Sequence, residues 1–352
     1  MSVRLPPTSK LPLADAARAH LGDALYRYVL GASDTLEDAN ASAFTRFRLV
    51  PRLLTGQATL DLRTSLCGMT FKAPIAVGAF AGDRVLHDAG LVPVARVCQR
   101  LGLPLMISEE TVTPLADITA AHDGCWLQLR GAGSLDRAQR LAETAARSGA
   151  AGIVLTVLAP AYPIAGFQPG GYSIGTEIAR RSWSTIGAEG ASGIRAVEAW
   201  PQWRWDDVGL LAVGLSAIGL PLIVKGVLRA EDAAYAAEAG CRGVMVSNIG
   251  LRQCARWALP LDRLAEIRHA TAGAVLVDGG VRSGVDALIG RCLGADAAVV
   301  VRPVITALVG GGEAAVFRLL SGWIDEMTTV ASWLGVGRLD ELDESYVCAS
   351  IS

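Results

Sequence analysis

The residues best placed to do chemistry are polar side chains that close short apolar runs: Ser108, Gln128, Thr156, Lys225, the Ser247–Asn248 pair, Asp278 and Arg302. Lys225 stands out because the chain has only two other lysines, Lys10 and Lys72. An ammonium at the end of an apolar run needs an anionic or electron-rich partner. Two of the stops suit a phosphate. Asp278-Gly279-Gly280-Val281-Arg282 sets two glycines before a helical pattern, so that backbone can approach an anion at a helix N-terminus while Arg282 adds charge. Val301-Arg302-Pro303 offers a second guanidinium. A lone Ser or Thr at such a place is usually a helix N-cap, and the arginines alone would read as a turn with surface charge. A ring of these groups around a rare lysine is harder to explain as capping.

The elements that must carry this ring are legible as an alternation. Apolar runs at 74–79, 103–108, 125–130, 152–157, 220–226, 243–248, 274–280 and 296–303 are short, mostly β-branched and continuous, as expected of strands buried on both faces. Amphipathic helical patterns fall between them, at 134–150, 229–240 and 284–294, several with a glycine just past the end. Eight such units predict a closed (β/α)8 TIM barrel, with an open doubly wound sheet as the alternative. In a barrel the loops after the strand ends form the reactive face, and phosphate sites come from the loops after strands seven and eight. One domain is expected, divided as 1–73 (N-terminal helices and a small β element), 74–322 (barrel) and 323–352 (C-terminal helix and tail). The connection after strand four, 158–205, is long and rich in Gly and Ser, which fits a lid or a disordered flap over that face.

Bulk composition narrows the classes. A formal charge of −2 and a pI near 6.1 give no support for a nucleic-acid partner. The seven cysteines are scattered without a CxxC pair, consistent with a reduced, cytoplasmic protein. No signal sequence or membrane span is visible.

With these motifs in order, the stretches LPLIVKGVLRAEDAAYAAEAGCRGVMVSNIGLRQ and VLVDGGVRSGVDALIGRCLGADAAVVVRP resemble the FMN-dependent 2-hydroxy acid oxidase family, which includes glycolate oxidase, lactate oxidase and mandelate dehydrogenase. YRYVLGASDT and FRLVPRLL extend the likeness towards the N-terminus. The resemblance implies FMN as cofactor, a small-molecule substrate and a homo-oligomer, commonly a tetramer. It implies that Ala79, Phe80 and Ala81 lie against the flavin ring, with Ser108, Gln128 and Thr156 as polar ring contacts. Lys225 would stand at flavin N1, where negative charge collects on reduction, and Ser247 would add a contact. Asp278, Gly279, Gly280, Arg282 and Arg302 would hold ribityl and phosphate, with Val301 in place of a family glycine.

The substrate side departs from that pattern. The family's SNHGxRQ histidine, which takes the substrate proton, is Ile249 here, and the chain's four histidines (His20, His87, His122, His269) end no strand. The aspartate partner of that histidine corresponds to Leu158, and one carboxylate-binding arginine falls near Ala165. The other arginine is kept as Arg252, and the N-terminal substrate tyrosine as Tyr28. Arg130 replaces a tyrosine, and an aromatic aligns with Glu110 or, one residue earlier, Glu109. Tyr28, Glu110, Arg130 and Arg252 are therefore the expected catalytic set. A flavoenzyme with altered chemistry is expected, with little oxidation of glycolate, lactate or mandelate. An amine, a biosynthetic intermediate, or a carrier-bound or peptide substrate would suit the changed pocket. The alternatives are a non-redox flavin enzyme (isomerase, dehydratase or decarboxylase) and an inactive FMN-binding subunit; for Glu110 itself the plain alternative is a salt bridge to Arg130.

Overall fold

The computed structural model describes residues 11–31, 38–57, 59–161, 172–188 and 202–350. Eight parallel strands form the sheet: Ile75–Val77, Met106–Ser108, Trp126–Arg130, Gly152–Thr156, Leu222–Val227, Gly243–Ser247, Ala274–Asp278 and Ala297–Val300. Each hydrogen-bonds its sequence neighbour from the second onward, and the eighth pairs with the first. The last gap, between strands one and two, is spanned by a single bridge in which the Val77 N–H donates to the Pro104 carbonyl at 2.9 Å. The sheet is thus a near-closed (β/α)8 barrel, and the open-sheet alternative is set aside. The first strand stops earlier than its apolar run, so Gly78 and Ala79 already belong to the first loop.

Alternation along the strands splits the core into two layers. Ala76, Met106, Trp126, Val154, Ile223, Met245, Leu276 and Val299 fill the barrel interior. Their neighbours, such as Ile107, Leu127, Leu155, Val224 and Val277, pack against the surrounding helices. Trp126 is fully buried, and a Cβ on Gly152 of the adjacent strand would come within 2.4 Å of its ring. Strand four therefore carries glycine where strand three carries its largest side chain.

The small β element expected near residue 60 is an antiparallel hairpin, Thr64–Leu66 with Met69–Phe71, turned by Cys67 and Gly68 at positive φ. Leu66, Met69 and Phe71 join the interior cluster, and Thr64 Oγ1 donates to the Asp296 carbonyl just before strand eight, so the hairpin plugs the N-terminal mouth. The opposite mouth is left to the βα loops. The helix Ala14–Leu30 packs along the helix Arg302–Leu334, which breaks at Gly311–Gly312. The boundary expected after residue 322 falls within this helix. It is the one described helix long and apolar enough to cross a membrane, but it lies in the outer barrel layer, with Val304, Leu308, Val316, Leu320 and Met327 buried in the core. A final strand, Val347–Ala349, pairs antiparallel with Phe47–Leu49 and ties the C-terminal end to the segment before the hairpin.

Within the long fourth connection, residues 172–188 include a regular helix, Ile174–Arg180, whose N-cap Ser173 accepts from the Thr176 N–H. Residues 162–171 and 189–201 of that connection, including Ala165, lie outside the described residues.

Candidate active site

A cavity opens at the C-terminal ends of the strands, and all the expected site residues except Ser247 line it. Ser247 is buried directly beneath, with its hydroxyl 3.2 Å from Lys225 Nζ and donating to Asp278 Oδ2 at 2.7 Å. Lys225 also forms an ion pair with Asp278. Register explains the trio, since Asp278 pairs with Ser247 across strands seven and six, and Lys225 lies opposite Met245 across strands five and six. On the other side of Lys225, strand four ends on Thr156, which accepts from Gln128 Nε2 of strand three at 3.0 Å. Ser108, ending strand two, accepts the Glu110 N–H at 3.1 Å in a turn, and no helix starts there for it to cap.

One end of the cavity is strongly cationic. Arg302 donates to Asp38 at 2.9 Å and to the Gly250 carbonyl, and Arg282 donates to the same Asp38 oxygen. Burial pulls the Arg302 guanidinium down to about 10, outweighing the Asp38 charge that opposes it. Burial would raise Asp38, but the two guanidiniums prevail and hold it below the ordinary carboxylate value. A desolvated pair of guanidiniums sharing one carboxylate is an anion site with charge to spare.

Two details differ from the sequence reading. The helix Gly284–Cys292 has its first N–H groups taken, Gly284 N–H by Glu326 at 2.7 Å and Asp286 N–H by Ser283 at 3.1 Å, so its N-terminus is already satisfied. The helix beginning at Arg302, whose N-cap Val301 contributes no side-chain bond, is the one open to an anion. The space left by Gly279 and Gly280 is taken by Asn40: a Cβ at Gly280, φ +89°, would lie 2.1 Å from the Asn40 carbonyl oxygen. Asn40 in turn exchanges two 2.8 Å side-chain bonds with Asn248, docking the N-terminal segment onto the end of strand six. Val301 reaches towards Gly78, where a Cβ would meet it at 2.7 Å, so the bulk gained at one position is matched by its absence at the other.

The expected catalytic set lines the same cavity, with Arg252 beside the cationic group, Glu110 on the loop after strand two and Arg130 at the end of strand three. Arg252 lies 4.2 Å above the Tyr28 ring, and Tyr28 packs on Tyr172 with centroids 5.5 Å apart. Gly31, φ +85°, ends the helix carrying Tyr28; a Cβ there would crowd both Arg252 and Arg302. Glu110 pairs with Arg130 at 2.5 Å, both side chains about 15% exposed and both lining the cavity. The salt bridge weighed for Glu110 is therefore present, and it faces the cavity. Ile249 also lines the cavity, while Leu158 packs over Gly226. None of the four histidines does; His122, for one, is buried against the Leu103 carbonyl.

Glu109 points away from the cavity. Its carboxylate, 3% exposed, accepts from Arg137 at 2.7 Å and from the Arg130 N–H at 3.0 Å. Burial pushes this carboxyl up, with Arg137 and then Arg130 opposing. The same Arg137 nitrogen donates to the Gly187 carbonyl, and Gly187 N–H and Ile186 N–H donate to the Glu109 and Thr111 carbonyls. This clip, together with Asp38 and Asn40, went unread in the sequence, because each is defined only by partners far away in the chain.

Over residues 17–349 the chain matches the FMN-dependent dehydrogenase family. It is 32% identical to 2-hydroxyacid oxidase 1 of Homo sapiens, with 94% of each chain covered. It is also 32% identical to 4-hydroxymandelate oxidase of Amycolatopsis orientalis, covering 90% of this chain and 91% of that one. A solved structure of mandelate oxidase superposes with a TM-score of 0.81 at 28% identity, over 96% of this chain and 97% of the other.

Proposed function

The chain belongs to the FMN-dependent dehydrogenase family, and from that membership we propose an FMN-dependent oxidoreductase whose pocket has been rebuilt for a substrate other than a simple 2-hydroxy acid. The observation that carries this reading is the pair Glu110–Arg130 facing the cavity while Ile249 stands where the resemblance expects the proton-accepting histidine. Bound FMN supplies a two-electron acceptor. The donor set suits it: Arg282, Arg302 and the open helix N-terminus for phosphate, Asp278 for ribityl hydroxyls, and Lys225 for the ring edge that becomes electron-rich. Gln128, Thr156 and Ser108 would meet the polar edge of the ring, with Ala79, Phe80 and Ala81 on its face. Loss of a positioned base costs about 10²–10⁴-fold in rate. Glu110 is a carboxylate on the cavity wall, paired with Arg130 and placed to exchange a proton with a substrate. An amine, which reacts through its own lone pair as the free base, suits such a site better than a hydroxyl.

The competing reading, oxidation of ordinary 2-hydroxy acids, draws on the names of the relatives. Oxygen uptake by the FMN-loaded protein separates the two. Glycolate, lactate and mandelate should turn over at least about a hundredfold below the ~10 s⁻¹ typical of enzymes, with amines of matching skeleton faster. Hydroxy acid turnover near that typical value would reject the proposal.

A further inference from the structure

We infer that the rebuilt end of the cavity takes a zwitterionic 2-amino acid with a large apolar side chain and oxidises it at Cα to the imino acid; this rests on the oxidoreductase reading above.

The charge pattern is the first reason. Glu110 and Arg130 form an ion pair at the cavity wall, each side chain about 15% exposed, with the buried Glu109 carboxylate 3.9 Å behind Arg130, so the wall presents a carboxylate and a guanidinium side by side. A zwitterion is its complement, ammonium to Glu110 and carboxylate to Arg130. A 2-hydroxy acid brings only the carboxylate, which repels Glu110 and leaves it nothing new to bind. Arg252 supplies a second guanidinium on the same cavity. It is held by its face over Tyr28, and a guanidinium held that way bonds acceptors through its edge. The second reason is the apolar wall. Phe80, Leu86, Tyr172 and Ile174 line the cavity and cluster around Tyr28, while Ile249 adds aliphatic surface nearby. A large apolar side chain would be buried there; a two- or three-carbon hydroxy acid would leave the wall wet.

The chemistry balances with FMN as the oxidant. Glu110 takes one proton from the substrate ammonium, leaving the neutral amine. A hydride then leaves Cα for FMN as the nitrogen lone pair forms the C=N bond, giving the iminium carboxylate and reduced cofactor. Water adds to the iminium carbon, and ammonium departs to leave a 2-oxo acid. With Glu110 taking the ammonium proton, the oxidation needs no proton acceptor at the place of Ile249.

The test is a titration of the FMN-loaded protein with one matched series: phenylalanine of each hand, 3-phenylpropanoate without the amine, 2-phenylethylamine without the carboxylate, and 3-phenyllactate with a hydroxyl instead. Binding is read as perturbation of the visible flavin bands, and oxidation as their anaerobic bleaching. One enantiomer of phenylalanine should bind at least tenfold tighter than the three analogues, and Glu110→Gln should remove its advantage over 3-phenylpropanoate and 3-phenyllactate. An unchanged advantage in a Glu110→Gln protein that still binds FMN would overturn the inference. So would wild-type binding in which 3-phenyllactate or 3-phenylpropanoate equals phenylalanine, a result that needs no variant to fold. Preferential phenylalanine binding without bleaching would uphold the recognition and reject the redox reading. Bleaching by 3-phenyllactate alone would reject both.

Discussion

Ile249 is held at φ +54° and Leu251 at φ +58°, flanking Gly250 at +63°. Left-handed backbone costs an L-residue about 1–2 kcal/mol, and a β-branched one is least suited to it. The loop keeps this shape because it is pinned at both ends: the Ile249 N–H donates to Ser247 Oγ, the Leu251 N–H returns to Asn248, and Arg302 holds the Gly250 carbonyl. Ile249→Asn should therefore stabilise the protein by about 1 kcal/mol in urea unfolding, since Asn tolerates this region; a loss of stability would show that side-chain packing outweighs the strain. Ile249→His should fold equally well and still fail to oxidise mandelate at an ordinary rate. Leu158 offers the imidazole no carboxylate partner, and recovery of full turnover would mean that one residue, and not a linked set, separates this pocket from the relatives'. At this scale the sequence was informative wherever function hangs on residue type, as at Ile249, Lys225 and Arg302. It named Glu110 but kept Glu109 as an alternative, because a loop has no fixed side-chain period. The structure turns Glu110 in and Glu109 out.

Between elements, the clip built from Glu109, Arg137 and Gly187 fixes how the fourth connection lies against the loop after strand two. Residues 186 and 187 add two main-chain bonds to that loop, flanking Glu110. Removing one member of a buried ion pair costs about 3–5 kcal/mol. Glu109→Ala should lose about that much, and should also expose the segment around residues 172–188 to protease. Glu109→Gln, which can keep the bond to the Arg130 N–H, should lose less. Equal stability and unchanged cleavage in Glu109→Ala would show that the segment is held by its main-chain bonds alone. The elements themselves were easy to read where apolar periodicity was strong, as in the eight strands and the helix Leu135–Arg147 behind its Ser134 cap. Where one element docks on another through polar groups, as Asn40 does on Asn248, no local pattern announces it.

The whole molecule is a barrel plugged at its N-terminal mouth by the hairpin and open at the other, with the N-terminal helices brought round so that Tyr28 and Asp38 reach the open end. Fold class was legible because parallel strands buried on both faces give unbroken β-branched runs; the plug was visible only as a β element, since its role depends on closure of the barrel. The two guanidiniums and Lys225 come from different parts of the barrel's open end and line one cavity, so cofactor binding should report on the entire assembly. FMN at about a hundred times its Kd should stabilise the fold by about 2.7 kcal/mol. Riboflavin, which lacks the phosphate that Arg282 and Arg302 would hold, should give a clearly smaller thermal shift, and Arg302→Met should erase the difference between the two. Equal shifts for both flavins in the wild-type protein would place the phosphate elsewhere. We propose that the family's cofactor chemistry is retained while its hydroxy acid reaction is not. The most direct measurement is the visible spectrum of the FMN-loaded protein after anaerobic mixing with mandelate and lactate. The oxidised flavin bands should persist with either acid, yet bleach on chemical reduction; bleaching by mandelate or lactate within a normal turnover time would contradict the account.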